Sequence, residues 1–347
     1  MARILYGLCS VGIGHAVRSK TILDHLRKKH KILIVTSERA YTYLKPNYTR
    51  VYNTGGLELA FRGNKVLTAR TVLQNLFKFN KRNYARWKST EKKSTAFKPD
   101  LVISDWETSS SMYAHKHHIP LISIDNGHYI RFGDYPFSYE HPFQQMKAHL
   151  VLYALMRQAE AYIILLLPGL HLHRRAPVYA APPIVRDAII KAQPKKKNYI
   201  LVYQSTNTYT HLLPILRTIP KQFIVYGFDH VGKEGNITFK KFDKGNTFTM
   251  DLANAQAVIT NGGFTLISEA LYLHKPLLVV PIKKHFEQYL NAKYVQDHHF
   301  GVMHEHLTKE HVSTFIAHLD HYRFDHLHWD NNQLFTTLDH LIQRFTS

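Results

Sequence analysis

The sequence predicts an α/β protein made of two parallel-sheet domains, and three observations carry that prediction. Its 347 residues are too many for one comfortable core and suit two domains of about 170 each. Apolar, β-rich runs alternate with longer helical patterns, as they do when strands pair in parallel through helical crossovers. The runs also fall into two comparable sets on either side of a proline-rich stretch.

Taken in order, the first set of strands is Arg3–Leu8, Lys31–Thr36, Leu101–Ser104, Leu121–Ile124 and Tyr162–Leu167. The second set is Tyr199–Tyr203, Phe223–Tyr226, Ile237–Phe239, Ala257–Thr260 and Leu277–Pro281. Between them, A-P-V-Y-A-A-P-P-I-V-R-D (Ala176–Asp187) and P-K-K-K-N (Pro194–Asn198) read as a connector, because proline blocks helix and stiffens extended chain. The expected domains are therefore 1–185 and 186–330. Residues 331–347 form a final helix that could pack back on the first domain. Open sheets of this kind bind ligands beyond the carboxyl ends of their strands, so two of them joined by a short linker leave a cleft for a ligand.

Composition narrows the class. Hydrophobic residues at 45% and aromatics at 12% exclude disorder. Cys9 stands alone, so there is no disulfide framework, and a reducing cytoplasm is the expected compartment. Met1 leads straight into a strand-like run with no signal-peptide pattern. The most apolar stretch, Ala161–Leu170, is too short to span a bilayer. The 45 Lys+Arg against 25 Asp+Glu give a net charge of +20. Between Arg62 and Lys98 stand eleven basic residues and one acid, Glu91. Such a stretch attracts the phosphates of nucleic acid or of anionic lipid; its plain alternative is a solvated face. Within it Val66, Ala69, Leu73, Leu76, Tyr84 and Trp87 follow one helical stripe flanked by Arg70, Lys78, Lys81, Arg82 and Arg86, the pattern of a helix lying in a membrane interface or of one packed on a core.

The densest chemistry lies in Ala257–Ala292. A strand ends at Thr260, Asn261-Gly262-Gly263 turns the chain, and a helix starts near Thr265. Glycines let a ligand approach the backbone, and the N–H groups and positive end of the helix favour a diphosphate. Thr265 adds a hydroxyl. Glu269 lies one turn on, on the same face, where a carboxylate can accept both hydrogens of a ribose diol. Glu287 and Gln288 follow the next strand and its loop, an acid and an amide able to bind several sugar hydroxyls.

The order N-G-G-x-T-x-x-S-E-A-L, then K-P-L-L-V-V-P, then E-Q-x-x-N-A resembles the donor-binding region of GT-B glycosyltransferases, and most of all the inverting families 1 and 28, the MurG-like enzymes. That resemblance implies two Rossmann-like domains facing across a cleft. It also implies transfer of a sugar from a nucleotide donor, UDP being the favoured nucleotide, without a metal or other cofactor. It further implies that Gly262, Gly263 and Thr265 hold the diphosphate with Ser205 and Thr206 of an earlier loop, and that Glu269 holds the ribose. The backbone around Phe242 would meet the base, and Glu287 and Gln288 would read the sugar.

The first loop, C-S-V-G-I-G-H (Cys9–His15), then takes on meaning. Gly12 and Gly14 make room after the first strand, and His15 opens a helix, where an imidazole can serve as a base near neutral pH. Such a base needs an orienting partner. Asp105 in K-P-D-L-V-I-S-D-W-E is the candidate, and the resemblance supports the pair. Glu107 is a competing base, and His128 in I-D-N-G-H is a third candidate or an acceptor contact. Histidine-rich spots such as His115-x-His117-His118, His298-His299 and His326-x-His328 lack the spacing of a zinc site. The basic stretch turns the expected acceptor toward a lipid-linked or glycolipid hydroxyl, with the protein peripheral on the inner face of a membrane. A nucleic-acid-modifying transferase and a nonhydrolysing nucleotide-sugar 2-epimerase are the alternatives, and a non-catalytic nucleotide-sugar sensor is the binding-module reading.

Overall fold

The computed structural model describes residues 1–56, 60–68, 70, 71, 73, 81–135, 141–156, 158–173, 177–205, 207–242, 246–324 and 327–347, the side chains of 81 and 82 aside. The chain divides into two compact units. Unit 1 comprises Met1–Leu59, Thr68–Ile184 and Asp330–Ser347, and unit 2 comprises Ala60–Leu67 and Val185–Trp329.

Unit 1 is built on seven strands: β1 (Arg3–Leu8), β2 (Lys31–Thr36), β3 (Val51–Asn53), β4 (Leu101–Asp105), β5 (Leu121–Asp125), β6 (Ala161–Leu165) and β7 (Val178–Ala181). They pair in parallel in the order β3-β2-β1-β4-β5-β6-β7. Every residue of β4 and β5 is buried, as expected of parallel strands covered by helices on both faces. The winding reverses between β1 and β4, where Leu8 lies opposite Asp105. A crevice opens at such a switch point because the adjoining crossovers leave on opposite faces.

Unit 2 repeats the plan with β8 (Tyr199–Tyr203), β9 (Gln222–Tyr226), β10 (Gly232–Glu234), β11 (Ile237–Phe239), β12 (Ala257–Thr260), β13 (Leu277–Val279) and β14 (Gly301–Met303). The order is β10-β11-β9-β8-β12-β13-β14, with only β10 antiparallel to its neighbour. One face packs Ile200, Val202, Val225, Ile259 and Leu278 against Leu212, Leu216, Val312 and Phe315. Here the reversal falls between β8 and β12, with Tyr203 opposite Thr260.

Three expectations are corrected. Residues 178–181 of the presumed connector form β7, an edge strand that tolerates its flanking prolines because one side needs no partner. The segment Ala60–Leu67 belongs to unit 2. There Phe61 and Val66 pair with each other and Lys65 bridges to Lys283, while Asn64 Nδ2 donates to the Pro281 carbonyl at 3.0 Å. Val66 is therefore not part of a basic helical stripe. Residues 68, 70, 71 and 73 are helical, the helix Lys81–Phe97 follows, and residues 69, 72 and 74–80 lie outside the described residues.

The final helix, Asn332–Thr346, is part of unit 1. Leu334, Leu338, Leu341 and Ile342 form its buried stripe, the period of an amphipathic helix. Asp339 pairs with His25 at 2.9 Å and Lys29 at 2.8 Å, and Phe335 stacks on His25. Among the described residues, no helix is long and apolar enough to cross a membrane.

Candidate active site

Both switch points are lined by the residues the sequence singles out. In unit 1, β1 runs into the loop Cys9–Ile13, tied down where the Cys9 amide donates to the Asp105 carbonyl at 2.8 Å. Gly12 takes φ +80, and a Cβ there would meet nothing within 4 Å, so open space as well as backbone freedom marks the position. The helix Gly14–Leu26 follows without a side-chain cap, and His15 is its second residue. His15 Nδ1 lies 2.9 Å from Asp105 Oδ1, with the imidazole 19% exposed and the carboxylate wholly buried.

Asp105 is held from several sides. Arg18, one helical turn after His15, donates Nε to Asp105 Oδ2 at 2.8 Å and its Nη2 to Oδ1. Its Nη1 donates to Asn126 Oδ1. Ser19 Oγ donates to Oδ2 at 3.1 Å and accepts from the Tyr6 hydroxyl at 3.2 Å. Burial alone would raise the Asp105 carboxyl, but the Arg18 guanidinium and His15 outweigh it and hold it well below the usual carboxylate range. Arg18 Nη2 also stands 2.9 Å from His15 Nδ1. The imidazole thus faces a carboxylate whose charge a buried guanidinium already balances. Burial pushes the Cys9 thiol up to about 12, which disfavours the thiolate.

The next residue, Trp106, adopts φ +56, a strained value for a bulky side chain, and its indole N–H donates to Asp125 Oδ1 at 3.1 Å. Glu107, a competing base in the sequence reading, is instead the N-cap of the helix Thr108–His117. It accepts from the Ser109 and Ser110 amides at 3.1 and 2.6 Å. His128 forms a second Asp–His pair, its Nδ1 at 2.7 Å from Asp125 Oδ2, but only 2% exposed and packed beside Phe132 and Tyr162. Burial would raise the Asp125 carboxyl, and His128 beside it more than compensates.

In unit 2, β12 ends at Thr260 and the buried Asn261 follows. Asn261 Oδ1 accepts from the Ser205 amide at 2.9 Å, and its Nδ2 donates to Asn64 Oδ1 at 3.2 Å. It therefore clamps the loop after β8 to its own. Gly262 sits at φ +93 with the Gln288 carbonyl 3.0 Å from where a Cβ would be, so a side chain there would strain the turn and crowd its neighbour. Gly263 begins the helix Phe264–Tyr272, which contains Thr265 and has no side-chain cap.

Glu269 is buried and held in a bidentate grip by Arg186, Nε to Oε1 at 2.6 Å and Nη2 to Oε2 at 2.5 Å. Arg186 also lies over the Phe248 ring. Phe248 in turn joins Tyr226 and Phe242 at centroid distances near 5 Å, with Phe242 47% exposed. Gln288 is buried and accepts from the Ile282 amide at 3.0 Å, supporting the loop after β13, while Glu287 is half-buried in the first turn of Phe286–Asp297. Thr206 lies outside the described residues. No group of three or more histidine, cysteine or carboxylate side chains among the described residues is placed to hold a metal ion.

Arg18, Asn126, Asp125 and Arg186 escaped the sequence reading. The H-A-V-R spacing did carry a signal, since i and i+3 share a helix face.

Two open, doubly wound parallel sheets are the plan of a GT-B glycosyltransferase, an enzyme that draws its sugar from a nucleotide donor. Residues 2–320 match the family described as Glycosyl transferase family 1, and the chain belongs to that family. No curated protein matches it. Among solved structures, 322 chains match. The calicheamicin glycosyltransferase CalG4 is 17% identical with a TM-score of 0.60, over 92% of this chain and 90% of that one. The spinosyn forosaminyltransferase SpnP is 14% identical with a TM-score of 0.58, over 92% and 90%. MurG of Acinetobacter baumannii is 13% identical with a TM-score of 0.53, over 92% and 91%.

Proposed function

We propose that this enzyme transfers a sugar, with inversion, from a UDP-sugar to a hydroxyl on a lipid-linked or glycolipid acceptor. The observation that carries the chemical part is the His15–Asp105 pair at the switch point of unit 1. In this reading Nδ1 carries the proton and donates it to Asp105, so Arg18 Nη2 is a close neighbour of Nδ1 and not its hydrogen-bond donor, and Nε2 is left as the basic nitrogen. Nε2 takes the proton of the acceptor hydroxyl as that oxygen bonds to the anomeric carbon. The bond from that carbon to the diphosphate oxygen breaks on the opposite side, and UDP leaves with the electron pair.

Unit 2 is the donor side in this reading. The uncapped helix behind Gly262-Gly263 offers N–H groups and a positive dipole end to the diphosphate. Thr265, Ser205 and Thr206 add hydroxyls, Phe242 offers an exposed ring and backbone to the base, and Glu287 and Gln288 read the sugar. The ribose diol shares Glu269 with Arg186. The acceptor assignment rests on the basic stretch Arg62–Lys98, whose described part exposes Lys88, Lys92 and Lys93 and suits an anionic membrane surface.

The test is thermal stabilisation across a panel of nucleotides and nucleotide sugars, with wild type and Glu269→Ala side by side. One nucleotide sugar should raise the melting temperature of wild type and not that of the variant. A panel that shifts neither protein would overturn the donor assignment.

A further inference from the structure

The helix Pro142–Leu155 of unit 1 is turned inside out. It buries Gln145 and Leu152. It exposes Phe143 at 76%, Met146 at 63%, Leu150 at 66% and Tyr153 at 82%. Steps of three, four and three residues place those four side chains on one stripe. A helix lying on a solvated surface does the opposite, turning its apolar stripe to the core. The orientation is anchored: Gln145 hydrogen-bonds Tyr135 on the buried side, and Lys147 Nζ donates to Thr68 Oγ1 at 2.7 Å. A contiguous exposed patch of this kind marks a surface that meets something apolar.

Charge says what that is. The helix P-F-Q-Q-M-K-A-H-L-V-L-Y-A-L contains no acid and carries Lys147 and His149. Its lysine reaches Thr68, inside the stretch where eleven basic residues accompany one acid. An apolar stripe with a tyrosine near one end, a lysine on its flank and no acid is the composition of a helix seated at the boundary of headgroups and acyl chains.

We infer that Phe143, Met146, Leu150 and Tyr153 insert into an anionic lipid bilayer while Lys147, and the exposed Arg70 two residues from its partner Thr68, lie at headgroup level. This builds on the proposed membrane-borne acceptor and names the face that docks.

The experiment is co-sedimentation of the full chain with phosphatidylcholine vesicles, with and without about one third phosphatidylglycerol. Wild type is compared with a variant carrying Phe143→Gln, Met146→Gln, Leu150→Gln and Tyr153→Gln. Wild type should partition onto anionic vesicles, more weakly as salt rises, and the variant at least about tenfold less. Its melting temperature and nucleotide-sugar stabilisation should stay at wild-type values. Leu150→Trp should show a blue-shifted emission on anionic vesicles and quenching by brominated acyl chains. Wild type that shifts with a nucleotide sugar but ignores vesicles would overturn the docking face and leave the donor reading standing. Equal partitioning of wild type and variant would also overturn it, as would a dimer that the four substitutions dissociate without changing vesicle binding.

Discussion

Replacing Asp105 by asparagine removes one charge and almost no volume, so its effect isolates the electrostatics beneath the His15 loop. Arg18 is only 3% exposed and Asp105 wholly buried. Asp105→Asn therefore strands a guanidinium that water cannot reach. Breaking a buried pair by taking away one partner costs about 3–5 kcal/mol, a large share of the roughly 5–15 kcal/mol that holds a domain together. Acid supplies a second, independent sign. Asp105 is depressed in the native state, so its contribution is fully present above the unfolded carboxylate value near 3.9 and fades as pH falls below it. From pH 6 to pH 3 this one group accounts for on the order of 1 kcal/mol of lost stability, which the asparagine variant does not lose. The assay is urea unfolding followed by tryptophan emission in a Trp329→Phe background. The remaining two of the three tryptophans, Trp87 and Trp106, both belong to unit 1. An asparagine variant within about 1 kcal/mol of wild type at pH 6, or one with the wild-type acid slope, would refute the reasoning.

His15→Ala is expected to cut turnover by about 10²–10⁴ while nucleotide affinity, measured by calorimetry, stays at the wild-type value. A comparable loss of affinity would remove His15 from the role of base. Arg186→Met frees both oxygens of Glu269, and uridine, which has a ribose but no phosphate, should bind several-fold tighter in the same calorimeter. Unchanged or weaker uridine binding would mean that the ribose does not compete with Arg186. Gly12→Ala should cost about 1–2 kcal/mol of backbone strain, read as a lowered melting temperature with unchanged nucleotide affinity, because nothing lies within 4 Å of the added methyl. Gly262→Ala pushes on the Gln288 carbonyl as well, and should weaken nucleotide binding measurably in a titration where Gly12→Ala does not.

The paired sheets were legible because their inner strands are buried on both faces and so spell out unbroken apolar runs. Lys31–Thr36 and Ala257–Thr260 are residue-for-residue those runs. The short edge strands were not: G-K-E at β10 and G-V-M at β14 are too brief and too little buried for any period to register. His15 and Asp105 could be picked out because each stands at the end of an apolar run, where chemistry collects. Arg18 could not, since a basic residue on a helix ordinarily means solvent. Only the sheet order, by setting β4 beside β1, brings a carboxylate 87 positions away to it. Arg186 was hidden differently. It sits in a proline-rich stretch that spacing alone marks as a joint, and its partner Glu269 is 83 residues further on. Glu107 misled because a carboxylate just after a strand looks the same whether it caps a helix or awaits a substrate.

The chain changes unit at 59/60, 67/68, 184/185 and 329/330, and this stitching imposes an order of events during synthesis. An emerging chain folds from its amino end as pieces become available. Unit 1 is begun first and finished last. Until the helix Asn332–Thr346 has left the ribosome, the surface awaiting Leu334, Leu338, Leu341 and Ile342 stays open. Unit 2 has its last strand once residue 303 is made and the core residues Val312 and Phe315 soon after, so it can close while its elder neighbour is still incomplete. A message cut short after residue 330 would therefore injure the domain whose translation started first and spare the one translated later.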